Sequence, residues 1–309
     1  MILVSVLMPT YNHEAFIAQA INSFLEQQVC FDIELLIGDD CSSDNTPLIA
    51  RTYAQNHPDK IHFFQYTENK GLMANYKYLL EQARGKYIAV LESDDVWIDP
   101  FKLQKQVERI EHADNCGLVF SNWTIIDYDS NEIARSKTPT DVVNYTNLLK
   151  ENRAAAVTAL FSKAMFDMYC NIDDYILLGF RTFDYPVWLS ISAHSDVIYL
   201  EDYTAGYRHL ATSISNTNNY QRALTFNHSI DIIVQYIVEK YGRGGLSKHA
   251  LANAKTFRYL ILALQFKKIR LAIKVAWLLH VVDIRTFVIK FFPWLWIYKN
   301  KKLTGTRNV

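Results

Sequence analysis

Apolar residues along the first 125 positions follow two periods in turn. Ile2–Met8, Ile33–Ile37, Ile61–Tyr66, Tyr87–Leu91 and Gly117–Asn122 are short apolar-rich runs of the kind that form buried strands. Between them the spacing becomes helical. Ile17, Ile21, Phe24 and Leu25 stand at i, i+4, i+7 and i+8, on one face. Leu48, Ile49 and Tyr53 mark a second helix that ends near His57-Pro58, because a residue before proline is steered away from helical backbone. Tyr76, Leu79, Leu80 and Ala83 mark a third, stopped at Gly85, and a fourth spans 100–112. Parallel strands need long crossovers and helices supply them. The repeated units therefore predict a mostly parallel, Rossmann-like sheet in a three-layer α/β/α arrangement.

From 125 to about 215 the periodicity weakens. Trp123–Asp127, Ala155–Phe161 and Val197–Leu200 read as short β pieces around a helix from Phe183 to Ala193. Past 217 the pattern is helical again, over 219–240 and 247–265, with Gly242–Gly245 as a hinge. The expected division is a body over 1–216, with halves 1–123 and 124–216, and a helical extension over 217–309.

Composition sharpens that division. Half of the 309 residues are hydrophobic, enough for a sizeable core. Formal charge is zero, yet residues 266–309 hold ten Lys or Arg against the single acid Asp283. That leaves 22 basic and 31 acidic residues in 1–265, so the body is about −9 and the tail about +9. A tail of this charge points to an anionic surface. Cys30, Cys41, Cys116 and Cys170 form no Cys-x-x-Cys pair, which argues against a disulfide framework or zinc site and fits a reducing cytosol. Met1 leads straight into the first apolar run with no basic leader, so that run reads as a strand and not as a signal peptide.

The densest chemistry lies in Lys86-Tyr-Ile-Ala-Val-Leu-Glu-Ser-Asp-Asp-Val-Trp97. The strand ends in Glu92, Ser93, Asp94 and Asp95, and Asp99-Pro100 opens the next helix. Three carboxylates within four residues repel one another. A divalent cation, which takes hard oxygen ligands, would offset that repulsion, at the sheet edge where open α/β folds bind ligands. A solvated acidic turn is the plain alternative.

Three motifs, each just past a predicted strand, resemble the family-2 glycosyltransferases of GT-A fold. They are Val4-Ser-Val-Leu-Met-Pro-Thr-Tyr-Asn12, Asp39-Asp-Cys-Ser-Ser-Asp-Asn-Thr46 and the Glu92–Asp95 turn. The resemblance covers roughly 3–215, is strongest in 3–123 and leaves out the helical tail. It implies a nucleoside-diphosphate-sugar donor, UDP before other nucleotides, with Mg2+ or Mn2+ as cofactor. It also implies inversion by direct displacement onto a hydroxyl of a glycan or lipid-linked acceptor, in surface-polysaccharide assembly.

The same resemblance assigns residues. Pro9, Thr10, Tyr11 and Asn12 would line the base pocket, and Asp40, in preference to Asp39, would accept the imide N–H of the base. Asp39 and Asp44 would organise their loop and cap the next helix. Asp94 and Asp95 match the D-x-D element that meets ribose and metal, with either as principal ligand. Glu92 stands where many relatives have Asp, which puts direct coordination by Glu92 in doubt. Arg181-Thr-Phe-Asp184-Tyr-Pro-Val-Trp188 resembles the segment that carries the general base, so Asp184 is the expected base. A capping role for that acid is the alternative, and Asp173 and Asp174 are fallbacks. Tyr207-Arg208-His209-Leu-Ala-Thr-Ser213 resembles a late Tyr-Arg-x-His-x-x-Ser segment, with His209 one residue early. By that likeness Arg208 would meet the diphosphate and His209 the metal, and Lys70 would approach the donor. No Gln-x-x-Arg-Trp signature of processive synthases occurs, which favours transfer of a single sugar.

In the tail, Lys267, Arg270, Lys274 and Arg285 fall within about a third of a helix circumference. Phe291, Phe292, Trp294, Trp296 and Tyr298 then cluster before Lys299, Lys301 and Lys302. This suits a helix lying in an anionic membrane interface through 266–302, and equally a subdomain packed on the core with a charged outer face. The membrane reading places a cytoplasmic protein peripherally on the inner face of the cell membrane, beside a lipid-linked acceptor. Nucleic acid is not expected, since no nucleic-acid module accompanies the charge. Two rival functions stay open. A nucleotidyltransferase would carry a Gly-rich basic loop after the first strand, which Pro9-Thr-Tyr-Asn12 is not. A non-catalytic nucleotide-sugar-binding protein at the membrane surface gains if Asp184 lies far from the acidic turn.

Overall fold

The computed structural model describes residues 1–139, 141–210, 217–276 and 278. The chain divides into two compact units, Met1–Gly244 and Gly245–Val309. In the first, the expected strand–helix alternation is present: β1 (Ile2–Thr10), α1 (Ile17–Leu25), β2 (Asp32–Asp39), α2 (Thr46–Asn56), β3 (Ile61–Gln65), α3 (Leu72–Gln82) and β4 (Tyr87–Val90). The three helices serve as crossovers, so β3, β2, β1 and β4 pair in that order, all parallel. Val4, Val6 and Met8 of β1 pack with Leu35 and Ile37 of β2 against Ile17, Ile21 and Phe24 of α1, all essentially without solvent contact.

Parallel pairing has one consequence for function: it brings the carboxyl ends of three strands to one edge. Thr10 lies opposite Asp39 in the β1–β2 register, and the Leu91 amide bonds the Leu7 carbonyl at 3.0 Å. The loops after β1, β2 and β4 therefore meet, as the ligand edge of an open α/β sheet requires.

The second half of this unit departs from simple alternation. β5 (Val96–Trp97) and α4 (Lys102–Glu111) lead to β6 (Cys116–Ile126), which β7 (Glu132–Arg135) joins as an antiparallel partner. After the short α5 (Tyr145–Leu148), β8 (Leu160–Ser162) wedges between β4 and β6, antiparallel to both. Then come α6 (Lys163–Tyr169), α7 (Ile172–Leu177), α8 (Asp184–Ser192) and β9 (Asp196–Arg208). Among the described residues the sheet runs β3-β2-β1-β4-β8-β6-β9-β5.

The piece read as Val197–Leu200 is part of a 13-residue strand. β9 pairs with β6 in parallel, but its register shifts three times, once between Cys116 and Leu118 of β6 and twice between Ser121 and Trp123. The shift after Ser121 falls at Glu201-Asp202, where charge interrupts the apolar pattern, and the one after Asn122 at Thr204. Beyond them the strand continues to Gly206, opposite Val96, and so delivers Arg208 to the acidic turn.

Helix α8 is buried from Tyr185 through Ser192, so it is apolar on every side, as a core helix must be. Its polar groups are matched: Trp188 Nε1 donates to Ala154 O at 3.0 Å and Tyr185 Oη to Leu148 O at 2.7 Å. Asp184 thus begins a rigid element. Helix α9 (Tyr220–Tyr241), read from sequence as the start of the extension, belongs to this first unit. Its Ser229 hydroxyl accepts from the Arg181 amide at 2.9 Å.

The second unit holds α10 (Lys248–Gln265) and α11 (Ile269–Ala276), packed through Leu260, Ala263 and Ala272. No helix among the described residues is long and apolar enough to cross a membrane. Arg285, the aromatic cluster 291–298 and Lys299, Lys301 and Lys302 lie outside the described residues, as does Ser213.

Candidate active site

The first wall of the site is the β1 loop locked to the β2 loop. Asn12 adopts a left-handed backbone (φ 55°), which its short polar side chain tolerates. Its amide bonds Ser42 Oγ at 2.8 Å and its Oδ1 accepts from the Ser43 amide at 2.9 Å. Pro9 and Thr10 are buried, and Tyr11 presents an exposed ring above them. Asp40 ties three loops together. Its amide donates to Thr10 O at 3.0 Å, and its carboxylate accepts from the Lys70 and Gly71 amides at 2.7 and 2.9 Å. Gly71 takes φ 86°, a left-handed turn that favours glycine, where its amide meets that carboxylate. Each Asp40 oxygen has spare acceptor capacity for a ligand N–H.

Asp39 points inward. One oxygen accepts from the Ser42 amide at 3.1 Å, and Oδ1 has no partner, nor does Thr10 Oγ1. Burial, reinforced by Asp44 and Asp40, raises the Asp39 pKa. Asp44 accepts from the Thr46 amide at 2.9 Å at the start of α2, a capping contact, and from the Glu14 amide at 3.1 Å. Burial opposes its ionisation, but these hydrogen bonds outweigh burial and lower its pKa.

The second wall is the acidic turn. Ser93 is fully buried and anchors it: its Oγ lies 2.7 Å from His13 Nδ1 and 3.3 Å from Pro9 O. Asp95 is 2% exposed; Oδ1 accepts from the Arg208 amide at 2.8 Å, while Oδ2 has no partner. Burial and the neighbouring Asp94 and Glu92 push the Asp95 pKa well up. Glu92 accepts from Tyr76 Oη at 3.0 Å. Burial, then Asp94 and Asp184, raise its pKa to about 8, which keeps it protonated near neutrality.

Arg208 lies behind this turn and is 1% exposed. Nε donates to Asp94 O at 2.7 Å, Nη1 to Asp127 O and Tyr128 O, and Nη2 to Gln19 Oε1 and Ser130 Oγ. All five N–H groups are thereby directed to protein acceptors, and the guanidinium stacks over Phe16 at 4.7 Å. The expectation that Arg208 meets the diphosphate directly does not fit these contacts. Its place is structural and electrostatic, a fixed cation under Asp94 and Asp95. His209 is exposed, its amide bonded to Ile126 O at 2.9 Å.

The third wall is the start of α8. Asp184 accepts from Asn152 Nδ2 at 2.8 Å and from the Thr182 hydroxyl. Burial nevertheless raises its pKa above the ordinary aspartate value. Tyr76, fully buried in α3, links this wall to the acidic turn: its hydroxyl reaches Glu92, and its ring stacks on Phe183 at 4.0 Å. Burial, and after it the neighbouring carboxyl groups of Glu92, Asp184 and Asp95, raise the pKa of that hydroxyl well above its ordinary value. From sequence Tyr76 reads only as a core position of a helical face, so nothing announced this bridge. Asp173 and Asp174 are engaged elsewhere, with Lys77 Nζ at 2.6 Å and Tyr236 Oη at 2.8 Å. The Lys70 side chain is exposed, with Nζ 5.6 Å from the Tyr66 ring centroid. Among the described residues no three His, Cys, Asp or Glu side chains form a ready-made metal cluster.

This edge, with orphaned buried acceptors beside two carboxylates, is built to receive a polar ligand, and comparison with known proteins says of which family. A putative teichuronic acid biosynthesis glycosyltransferase of Bacillus subtilis, TuaG, is 29% identical over 216 residues, covering 69% of this chain and 82% of the relative. The Escherichia coli UDP-Glc:alpha-D-GlcNAc-diphosphoundecaprenol beta-1,3-glucosyltransferase WfgD is 29% identical, covering 63% and 72%. An uncharacterized Mycobacterium tuberculosis protein is 40% identical over 107 residues, which span 35% of this chain and 31% of that protein. Among solved structures, Staphylococcus aureus TarS 1–349 with UDP aligns with a TM-score of 0.54 at 15% identity, covering 89% of each chain. The mannosyltransferase PcManGT from Pyrobaculum calidifontis with GDP-Man and Mn2+ aligns at 0.58 and 17%, covering 88% of this chain and 73% of that one. These two likenesses establish the GT-A fold. The family model described as "Glycosyl transferase family 2" matches residues 5–171, more than half of the sequence, and the chain belongs to that family.

Proposed function

We propose that the protein is a metal-dependent glycosyltransferase that moves one sugar from a nucleoside-diphosphate sugar, UDP before other nucleotides, to a hydroxyl of a glycan or lipid-linked acceptor. Its setting is surface-polysaccharide assembly, in line with TuaG, named for teichuronic acid biosynthesis, and WfgD, named for a diphosphoundecaprenol-linked substrate, and the site of that work is the inner face of the cell membrane. The observation that carries the reading is Asp95 Oδ2, a buried carboxylate oxygen with no partner, on the same sheet edge as Asp40. A buried carboxyl oxygen left without a partner is costly and persists where a ligand completes it.

Asp94 and Asp95 fit a divalent cation, because two adjacent carboxylates leave room for further oxygens from a diphosphate. When bound, Mg2+ or Mn2+ neutralises that diphosphate and stabilises the charge on the departing nucleotide. The protein's own groups do the rest. Asp40, braced by the Lys70 and Gly71 amides, accepts the imide N–H of the base, and Tyr11 covers it. Arg208 holds the acidic turn in place from beneath. Asp184 takes the acceptor proton as the hydroxyl oxygen bonds to the anomeric carbon and the bond to the phosphate oxygen breaks, which inverts that centre. Phe183, next to Asp184, stacks on Tyr76, whose hydroxyl bonds Glu92, and this link between the start of α8 and the acidic turn favours the reading over a non-catalytic binding protein.

The test is protection against thermal unfolding by UDP-, GDP- and dTDP-sugars, each with and without Mn2+. Stabilisation by one nucleotide class, larger with Mn2+, is the expected result. A flat response to all three would remove the donor assignment.

A further inference from the structure

Asp184 opens α8, and a stretch of chain from before β8 is pinned beside it at two points. Tyr185 Oη reaches Leu148 O at 2.7 Å, and Trp188 Nε1 reaches Ala154 O at 3.0 Å. Both rings are buried, so the first turn of α8 holds residues 148–154 at either end. Asn152 sits between the two pins. Its Oδ1 accepts from the Ala154 amide at 3.3 Å, an Asx turn that settles which end of the side-chain amide faces which way. Nδ2 is thereby turned to Asp184 and donates to Oδ2 at 2.8 Å, while the Thr182 hydroxyl donates to Oδ1.

Each oxygen of the Asp184 carboxylate therefore holds one donor and keeps room for another. Asn152 is exposed and Asp184 half-buried, so the pair stands at the open rim of the site and not in the core. Burial pushes the Asp184 pKa up, and the Thr182 and Asn152 hydrogen bonds, in that order, pull it back. An amide does this without a full positive charge. The carboxylate is then favoured as the anion and still keeps the basicity that proton transfer needs. Arg153, next in the chain, does not supply that donor, because it is paired with Asp141 and Glu151. Glu92 of the acidic turn and Tyr76 of α3 face Asp184 from other elements, and neither touches Asn152.

We propose that Asn152 is a positioning residue for the base. It holds Asp184 as the anion and turns an open lone pair of that carboxylate toward the acceptor hydroxyl. The proposal rests on the reading of Asp184 as the base.

The test is a carboxyl-carbon NMR titration of aspartate-labelled protein without metal, on the wild type, Asn152→Ala and Asn152→Asp, each checked for an unaltered melting temperature. The Asp184 signal is the one missing from Asp184→Asn. Hydrolysis of UDP-glucose and UDP-N-acetylglucosamine with Mn2+, water standing in for the acceptor, is followed against pH in the same proteins. In Asn152→Ala the Asp184 midpoint is expected to rise by about 0.5–1 in pH, so turnover on the acid limb falls about three- to tenfold and rejoins the wild type in alkali. Asn152→Asp raises the midpoint further, because a like charge replaces a donor. An Asp184 midpoint unmoved in both variants overturns the proposal. So does turnover that drops by one factor at every pH, which would make Asn152 merely structural. Failure of the base reading shows separately, as an Asp184→Asn protein that hydrolyses the donor as fast as the wild type, and it takes the proposal with it.

Discussion

Glu34, on strand β2, and Asp95, in the turn between β4 and β5, are both buried carboxyl groups of one sheet, and they end in opposite states. Glu34, fully buried in β2, accepts from Ser5 Oγ at 2.6 Å, from the Arg84 amide at 3.0 Å and from Arg84 Nε at 2.9 Å, with His62 Nε2 3.6 Å away. Burial alone would raise its pKa, but these partners outweigh it and the value falls. Asp95 has one backbone amide and an orphaned oxygen, and its pKa rises. Burial is shared, so burial does not mark the functional edge. What separates the two is whether the protein completes the coordination of the charge it buries.

The contrast sets separate expectations for the two regions. At the acidic edge, Asp184→Asn lowers turnover by about 10²–10⁴-fold with little change in donor affinity, because it removes the proton acceptor and not a donor contact. Since burial raises the Asp184 pKa and the base must be ionised, wild-type turnover falls on acidification at a pH above the ordinary aspartate range. A pH–rate profile of the wild type and turnover of the variant check both. At the Glu34 cluster the effect moves to stability. Glu34→Gln costs about 1–3 kcal/mol in denaturant unfolding, because Ser5 and Arg84 lose a charged acceptor, and turnover per folded molecule stays unchanged. An inactive but stable Glu34→Gln would break the comparison.

Lys102 is a third buried charge and sharpens it. Its Nζ donates to Gln106 Oε1 at 2.8 Å and lies 4.5 Å from the Trp97 ring, and burial lowers its pKa to about 7. The unfolded chain binds this proton up to the ordinary lysine value of 10.5, so the folded state is penalised at pH 7 and relieved as pH rises toward 10.5. Lys102→Met is therefore expected to stabilise the protein near pH 7 and to flatten stability between 7 and 10, read by melting temperature against pH. A smaller effect is expected at Cys41, a non-glycine residue at φ 63°. Cys41→Gly relieves the steric cost of that backbone, about 1 kcal/mol, offset in part by glycine's flexibility when unfolded.

The first half of the fold was legible because its strands are buried on both faces and its helices amphipathic. Three loops could be placed at one edge from chain order alone. The acidic turn was legible for the same reason, since Glu92, Asp94 and Asp95 interrupt an apolar run. β9 was not, because Glu201-Asp202 breaks its pattern at a register shift. The role of Arg208 followed suit: a motif placed it near the donor, but only the path of β9 shows its five N–H groups already engaged. The bridging place of Tyr76 depends on contacts between distant segments, with Phe183 and Glu92, which no local period encodes.

On the function proposed above, the open oxygen of Asp95 receives a cation that carries the donor. Calorimetric titration of Mn2+ into the protein in saturating UDP, for the wild type and Asp95→Asn, tests it most directly. The account predicts Mn2+ binding in the wild type, and its loss in an Asp95→Asn protein that melts no lower. Mn2+ affinity unchanged by the substitution would contradict it.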